Sequence, residues 1–496
     1  EEDLTDAVTD IIVKTDTTTA AKMIEEINEI DTETNLSLEV ISGISEKDSG
    51  KLNELSDNNK EQMDELTTDA VQKAENTSED SQLIANVVAV VNDDLVNKVV
   101  EEVSKTSTDE KQTLSAKVLK AIVDTEPSKI ENINEETKTT IIKQTLEAAK
   151  SQEEGQITDE ENLTDVVAEI VVKTDVETAS KIIEEVNNTE TETSLSLKVM
   201  SGISEKDADK INELAENNKD NIDKLTEKAI QSAKSTKEDS ELIAKVVSVA
   251  SDEIANKVVE EVSKNNTSEK QDLSAKVLKA IVETQPNKIE IINDEIKEVV
   301  IKQTVEAVKT QQETETNIAI EDDLTDAVAS IIVSTDNDTA SKLIEEVSNV
   351  ETETNLSLKV IAGISEKSAE KFTELAETNK EQVEKLTISA IQNAENTSED
   401  SQRIANVVAI ADDELANKVV EEVSKTAVEE KQSLSIKVLK AIVDTEPEKI
   451  EIINEDIKED LIEKAIEATK DQQEGNLIEE EDLTDAVTDI IVKTDT

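Results

Sequence analysis

The 496 residues carry 118 Asp and Glu against 52 Lys and Arg, a formal net charge of -66, with no Cys, His, Trp or Tyr and Phe372 as the sole aromatic. So acidic a chain repels phosphate backbones and anionic lipid, which excludes nucleic-acid binding through Lys and Arg that neutralise phosphates. Missing thiols and imidazoles exclude disulfides, soft metal sites and the common nucleophile and base pairs, so no enzyme is expected. No apolar run is long enough to span a membrane.

The first element opens at Leu4 in an LTD motif that returns at Leu163, Leu324 and Leu483, spacings of 159, 161 and 159 residues that total 479. These positions divide the chain into repeats 4–162, 163–323 and 324–482, with 483–496 as the start of a further copy. Glu1 to Thr17 recur letter for letter as Glu480 to Thr496, which predicts a segment of a longer tandem array. Next, residues 20–27 (AAKMIEEI) align without a gap on 96–103 (VNKVVEEV), so each copy is itself a pair of half-repeats. The Glu pair in this motif occurs six times, at Glu25/Glu26, Glu101/Glu102, Glu184/Glu185, Glu260/Glu261, Glu345/Glu346 and Glu421/Glu422.

Further along, Gly43, Gly202 and Gly363 share one position in ISGISEK-like stretches, read as a helix end ahead of a close helix crossing. Val96, Val99, Val100 and Val103 fall at i, i+3, i+4 and i+7, an amphipathic helix. Ser107 to Glu110 form an S-x-x-E pattern, the signature of a capped helix start. The largely apolar LSxKVLKAIV motif at Leu114, Leu273 and Leu434 reads as packing, and Pro127, Pro286 and Pro447 hold one equivalent place suited to a first helical turn.

Helices this short are marginal alone in water, and without aromatic groups they must stack to bury enough surface. The prediction is an all-α chain, an α-solenoid of stacked short helical hairpins with units of roughly 30 to 45 residues. Its layout resembles HEAT or armadillo-like helical repeats. With helices about 8–10 Å apart, roughly twelve hairpins would extend on the order of 100 Å.

Hard cations take carboxylate oxygens, so Glu101, Glu102, Glu260, Glu261, Glu421 and Glu422 are candidates for weak Ca2+ or Mg2+ binding shared between neighbouring helices; a solvated outer face is the plainer reading. Lys22, Lys98 and their equivalents stand three residues before each pair, in reach of i, i+3 ion pairing. Asn97, Asn256 and Asn417 could form a ladder that fixes register between stacked units, or serve as exposed polar filler. N-x-S/T triplets at Asn76, Asn162, Asn337 and Asn396 fit glycosylation but arise readily by chance in so Thr-, Ser- and Asn-rich a chain.

The functional expectation is a structural segment of a giant acidic protein that forms a filament, stalk or scaffold, at a bacterial cell surface. Neighbouring copies of itself and divalent cations are the expected partners. The alternative is an acidic solenoid that binds a basic protein or peptide, with a cytoplasmic scaffold as the other placement.

Overall fold

A computed structural model describes residues 2–494 apart from 31–34, 109–110, 190–192, 268–269, 271, 314–323, 350–354, 428–430, 476 and 478–482. Every element is helical, and among the described residues there is no strand. The chain forms two compact units, residues 1–233 with 249–261 and residues 234–248 with 262–496.

In the first unit the helices Glu2–Lys14, Leu36–Lys47, Ser78–Val90, Leu114–Thr125, Leu163–Lys173 and Leu195–Lys206 lie side by side as row A. Their hairpin partners Thr17–Asn28, Lys60–Lys73, Asp93–Thr106, Glu135–Glu153, Val176–Asn188 and Lys219–Ser232 form row B against it. The second unit repeats the plan, with row A Leu273–Thr284, Leu324–Ser334, Leu356–Lys367, Ser398–Ile410, Leu434–Thr445 and Leu483–Thr494. Its row B is Asp294–Glu313, Asn337–Asn349, Lys380–Gln392, Asp413–Thr426 and Glu455–Gln473. Each unit is an α-solenoid of tandem hairpins.

Two hairpin types alternate. One turns directly from row A to row B, and its row B helix is capped by Asp or Asn: Asp16 accepts from the Thr19 N–H, Asn92 from Leu95 and Asp412 from Leu415. The other inserts a short third element, such as Ser49–Asn58 or the 3-10 turn Pro127–Ile130. Pro127 opens that turn, Pro286 precedes Asn287–Ile291, and Pro447 stands just before Lys449–Ile452, so each proline lies where a missing N–H leaves no ladder bond unmade.

Row A helices are enclosed on nearly all sides: Leu114–Thr125 buries Leu114, Ala116, Val118, Leu119, Ala121, Ile122 and Val123. Row B helices bury one stripe, as Asp93–Thr106 does with Leu95, Val96, Val99, Val100 and Val103. Each fully buried aliphatic side chain contributes about 1.5–3 kcal/mol. Phe372, 2 % exposed, occupies the place that Leu52 and Ile211 hold in the other copies.

The glycines settle which of their two readings holds. Gly43, Gly202 and Gly363 lie inside row A helices, not at their ends. A Cβ on Gly202 would stand 2.8 Å from the Ala168 Cβ and one on Gly363 2.9 Å from the Ala329 Cβ, so glycine lets neighbouring row A helices touch. Helix-end glycines do exist elsewhere: Gly155 (φ 71°) ends Glu135–Glu153 in the left-handed conformation, and Gln156 N–H then reaches back to the Ser151 carbonyl at 2.8 Å. The Ser107 pattern does not start a helix. Ser107 follows the end of Asp93–Thr106, its hydroxyl donates to the Val103 carbonyl at 3.0 Å, and Asp109 and Glu110 lie outside the described residues.

After Gly155 the chain is pinned by Asp159, which meets the Lys117 ammonium at 2.9 Å and accepts from the Thr113 hydroxyl at 2.8 Å and the Glu161 N–H at 3.1 Å. Burial alone would raise the Asp159 carboxyl, but those hydrogen bonds outweigh it and hold it below the ordinary 3.8.

Gly202→Ala overpacks the crossing and should cost about 1–3 kcal/mol. Adding Ala168→Gly should restore most of the loss, read as thermal midpoints of the single and double variants. The Asp159 pin has a depressed carboxyl, so its stabilisation is present above the ordinary value of 3.8 and fades as pH falls through the lower folded value. Asp159→Asn leaves Lys117 buried without its counter-charge and should cost about 3 kcal/mol at neutral pH. Hydrogen exchange of residues 155–162 should show protection lost on acidification in the parent chain and already low at pH 7 in the variant.

Candidate interaction surface

The six Glu pairs fall on row B, and their surroundings differ by half-repeat. In the first halves Glu25, Glu26, Glu184 and Glu345 are exposed, as a solvated face requires. In the second halves Glu102 and Glu261 are only 4 % and 6 % exposed. There the lysine one turn back turns inward: Lys98 meets Glu102 at 3.1 Å and Lys257 meets Glu261 at 3.0 Å, both at i, i+4 rather than the expected i, i+3. Lys105 joins Glu101 at 2.6 Å and Glu102 at 2.9 Å. Burial pushes the Glu102 carboxyl up, yet the hydrogen bonds from Lys105 and Lys98 hold it below the usual carboxylate value. Glu260 is half-buried. Glu421 meets Lys425 at 2.8 Å, and Glu422 accepts from Gln392 at 2.7 Å. Among the described residues no three carboxylates converge in a way that could hold a metal ion.

The asparagines act between hairpins. Asn97 donates to the Asn132 carbonyl at 3.1 Å and accepts from the Asn134 N–H at 2.6 Å, while Asn417 donates to the Ile452 carbonyl at 3.0 Å and accepts from the Asn454 N–H at 2.7 Å. Each thus ties one row B helix to the start of the next, which is the ladder reading. Asn256 donates to the Asp252 carbonyl at 2.8 Å. Asn53 and Asn212 make the corresponding link in the other hairpin type, accepting from the Asn92 and Ser251 N–H groups at 2.8 Å each. The triplet asparagines are also engaged: Asn76 accepts from Thr113, Asn162 caps a helix, Asn337 donates to Glu374 and Asn396 accepts from Ser433.

Lysines complete this lattice. Lys51, Lys210 and Lys371 each donate to the carbonyl that ends the preceding row A helix, at Thr15, Thr174 and Thr335, all 2.9 Å. Lys129 and Lys449 do the same at Val91 and Ala411, at 2.7 and 2.6 Å. Within the LSxKVLKAIV motif, Lys117, Lys276 and Lys437 reach the carbonyls of Asn76, Ser235 and Asn396 at 2.9, 2.8 and 2.8 Å. Along row A, Lys47 bridges Asp6 at 2.6 Å and Asp10 at 2.5 Å; hydrogen bonds from Lys14 and Lys47 hold the Asp10 carboxyl down to about 2.

With many lysines turned onto the protein's own backbone, two grooves along row B of the second unit are lined mainly by acidic side chains. One, about 540 Å³, lies between Asp413–Thr426 and Glu455–Gln473 and is lined by Glu421, Ser424, Lys425, Asn454, Glu455, Asp456, Ile457 and Asp460. The other, about 580 Å³, gathers Glu290, Asp294, Asp336 and Asp338 against Lys297 and Lys342. In both grooves carboxylates outnumber the lysines beside them, Lys425, Lys458 and Lys464 in the first and Lys297 and Lys342 in the second, which favours a cationic occupant. Glu421 was legible as a candidate from its repeated pair, whereas Asp460 and Asp456 are brought to it only by the stacking of two hairpins.

No family model matches the chain, and no curated protein matches it in sequence. Among solved structures it is similar to the karyopherin Kap121p bound to the extreme C-terminus of the protein phosphatase Cdc14p, at 11 % identity and a TM-score of 0.43, over 97 % of this chain and 64 % of that one. It is similar also to Kap121p bound to Nup53p, at 10 % identity and a TM-score of 0.34, over 99 % of this chain and 66 % of that one. A structure from work on the interaction between cadherin and beta-catenin aligns at 9 % identity and a TM-score of 0.25, over 99 % of this chain and 98 % of that one. The chain thus spans just under two thirds of the length of the karyopherin it matches.

Proposed function

We propose that this chain is a non-catalytic acidic α-solenoid, a scaffold whose row B grooves dock basic segments of partner proteins. The observation that carries the reading is the groove lined by Glu421, Glu455, Asp456 and Asp460 with Lys425 and the apolar Ile457, where Lys425 meets Glu421 at 2.8 Å, Lys458 meets Glu455 at 3.1 Å and Lys464 meets Asp460 at 3.4 Å, so that carboxylates still outnumber ammonium groups by one. A Lys- or Arg-rich peptide supplies the missing charge, and its stems lie on the isoleucine. Exposed pairs contribute only about 0.5 kcal/mol each, so the affinity is modest, sums over several contacts and falls as salt shortens the range of the field.

A second reading, a structural segment of a longer array in a filament or stalk, is favoured by the identity of residues 1–17 and 480–496. In that setting Ca2+ or Mg2+ acts as a counter-ion shared between acidic surfaces. Lateral association that rises with millimolar calcium and reverses on chelation is the expected behaviour, checked by light scattering.

Titrating a labelled Arg-rich peptide by fluorescence anisotropy tests the docking reading. Binding should weaken steeply between low and high salt, and an acidic peptide of equal length should not bind. Replacing Glu421, Glu455, Asp456 and Asp460 by their amides removes four such pairs, roughly 2 kcal/mol or about thirtyfold in affinity at that groove. Binding insensitive to both salt and these substitutions would sink the proposal.

A further inference from the structure

The junction of Glu135–Glu153 with Val176–Asn188 and that of Asp294–Glu313 with Asn337–Asn349 hold equivalent places in successive repeats, yet their charges are arranged differently. In the first, the Glu135 carboxylate lies between two ammonium groups, Lys138 at 3.2 Å and Lys181 at 2.6 Å, and Lys181 also meets Glu177 at 3.0 Å. Lys138 is 4 % exposed and donates to the Glu131 carbonyl as well, at 3.4 Å. This junction satisfies its own charges.

The second junction keeps both lysines, as Lys297 and Lys342, but has Asp294 and Asp338 where the first has Glu135 and Glu177. Each carboxylate is one methylene, about 1.5 Å, shorter. Asp294 stands 3.6 Å from Lys297, beyond hydrogen-bond length, and among the described residues neither aspartate makes an ion pair with Lys342. The Lys342 charge also reaches Glu298, which is paired with Lys302 at 2.8 Å. The Lys297 charge reaches Asp336, but that carboxyl caps its own helix, accepting from the Thr339 N–H at 2.9 Å and hydroxyl at 2.7 Å. What results is the groove of about 580 Å³, within the roughly 300–1,000 Å³ of small-ligand sites. Lys297 forms part of its wall, 6 % exposed and without a hydrogen bond among the described residues. A buried ammonium whose donors are unfilled is costly unless an anion completes it.

We infer that this groove is a ligand site for a carboxylate joined to a basic side chain, as in free arginine or the last residue of a chain that ends in one. The ligand carboxylate takes the place that the Glu135 carboxylate fills in the first junction, between Lys297 and Lys342. Four carboxylates against two ammonium groups repel a simple anion, so the ligand must bring positive charge with it, and Asp338 and Glu290 receive the guanidinium or ammonium. This goes beyond the docking of basic segments. There a negative charge on the partner weakens binding, and here it is required.

Two labelled peptides that end in arginine, one with a free C-terminus and one amidated, test this by fluorescence anisotropy. The full chain is used with Glu421, Glu455, Asp456 and Asp460 replaced by their amides, which silences the other groove. The free acid should bind about tenfold more tightly than the amide, whereas docking by charge alone favours the amide, which carries one more net positive charge. Asp294→Glu with Asp338→Glu keeps the net charge, lets the longer carboxylates reach Lys342 and should lower affinity for the free acid about tenfold with circular dichroism unchanged. Lys342→Gln should weaken the free acid too, although it makes the groove more acidic. Displacement of the peptide by free arginine assigns the site to a single amino acid, and displacement by unlabelled free-acid peptide alone assigns it to a chain terminus. Equal or tighter binding of the amide, or no binding of either peptide, would overturn the inference, while docking at the Glu421 groove is judged separately on the parent chain.

Discussion

The stripe of Val96, Val99, Val100 and Val103 runs along a helix of 14 residues that cannot hold its shape alone in water, and only the flanking hairpins can cover it. That dependence governs the rest of the fold. Each internal row A helix is packed between two others of its kind and a row B layer, so burial is shared between neighbours and no central core exists within either unit. It explains the absence of large aromatic anchors, because a thin layer between close helices is filled by Leu, Ile, Val and Ala. It also explains why glycine sits in mid-helix at Gly202, where a methyl group would hold two row A helices apart.

Polar groups follow the same nearest-neighbour logic. An aliphatic interface gives area but little register, and a stack of similar hairpins can slide. Asn97 and Asn417 fix the register by reading the backbone of the next hairpin, and Lys51, Lys210 and Lys371 fix it from the opposite direction by capping the end of the previous one. A lysine committed to a backbone carbonyl still carries its charge, but that charge is held close to the protein. The acid excess is therefore left to the outer surface and its grooves, and long-range attraction for cationic partners is a by-product of how the hairpins are locked together.

The helical hairpins and the all-helical nature of the described residues were legible because a 3.6-residue period survives in every copy, and the repeat starts at Leu163, Leu324 and Leu483 coincide with helix starts. The glycines were misleading because a helix end and a close crossing demand the same residue, and only the partner Ala168 tells them apart. Ser107 carried a capping pattern in the wrong place, while the caps in use, Asp16, Asn92 and Asp412, were present in the sequence as Asp or Asn just ahead of each row B stripe. Glu102 and Glu26 are indistinguishable in their local motif, yet one is buried under two lysines and the other exposed. The Lys117 and Asp159 pair, separated by two helices, has no local signal at all.

The junction that buries Leu163 is rebuilt with the same kinds of residue at Leu324, and most of the packing at both is between adjoining hairpins, with Lys198 reaching past one to meet Glu153 at 2.7 Å. Genetic exchange between misaligned copies would therefore insert or delete whole repeats while leaving most nearest-neighbour packing in place. Length thereby becomes a quantity that recombination could adjust in fixed steps with little change to the kind of surface each repeat presents.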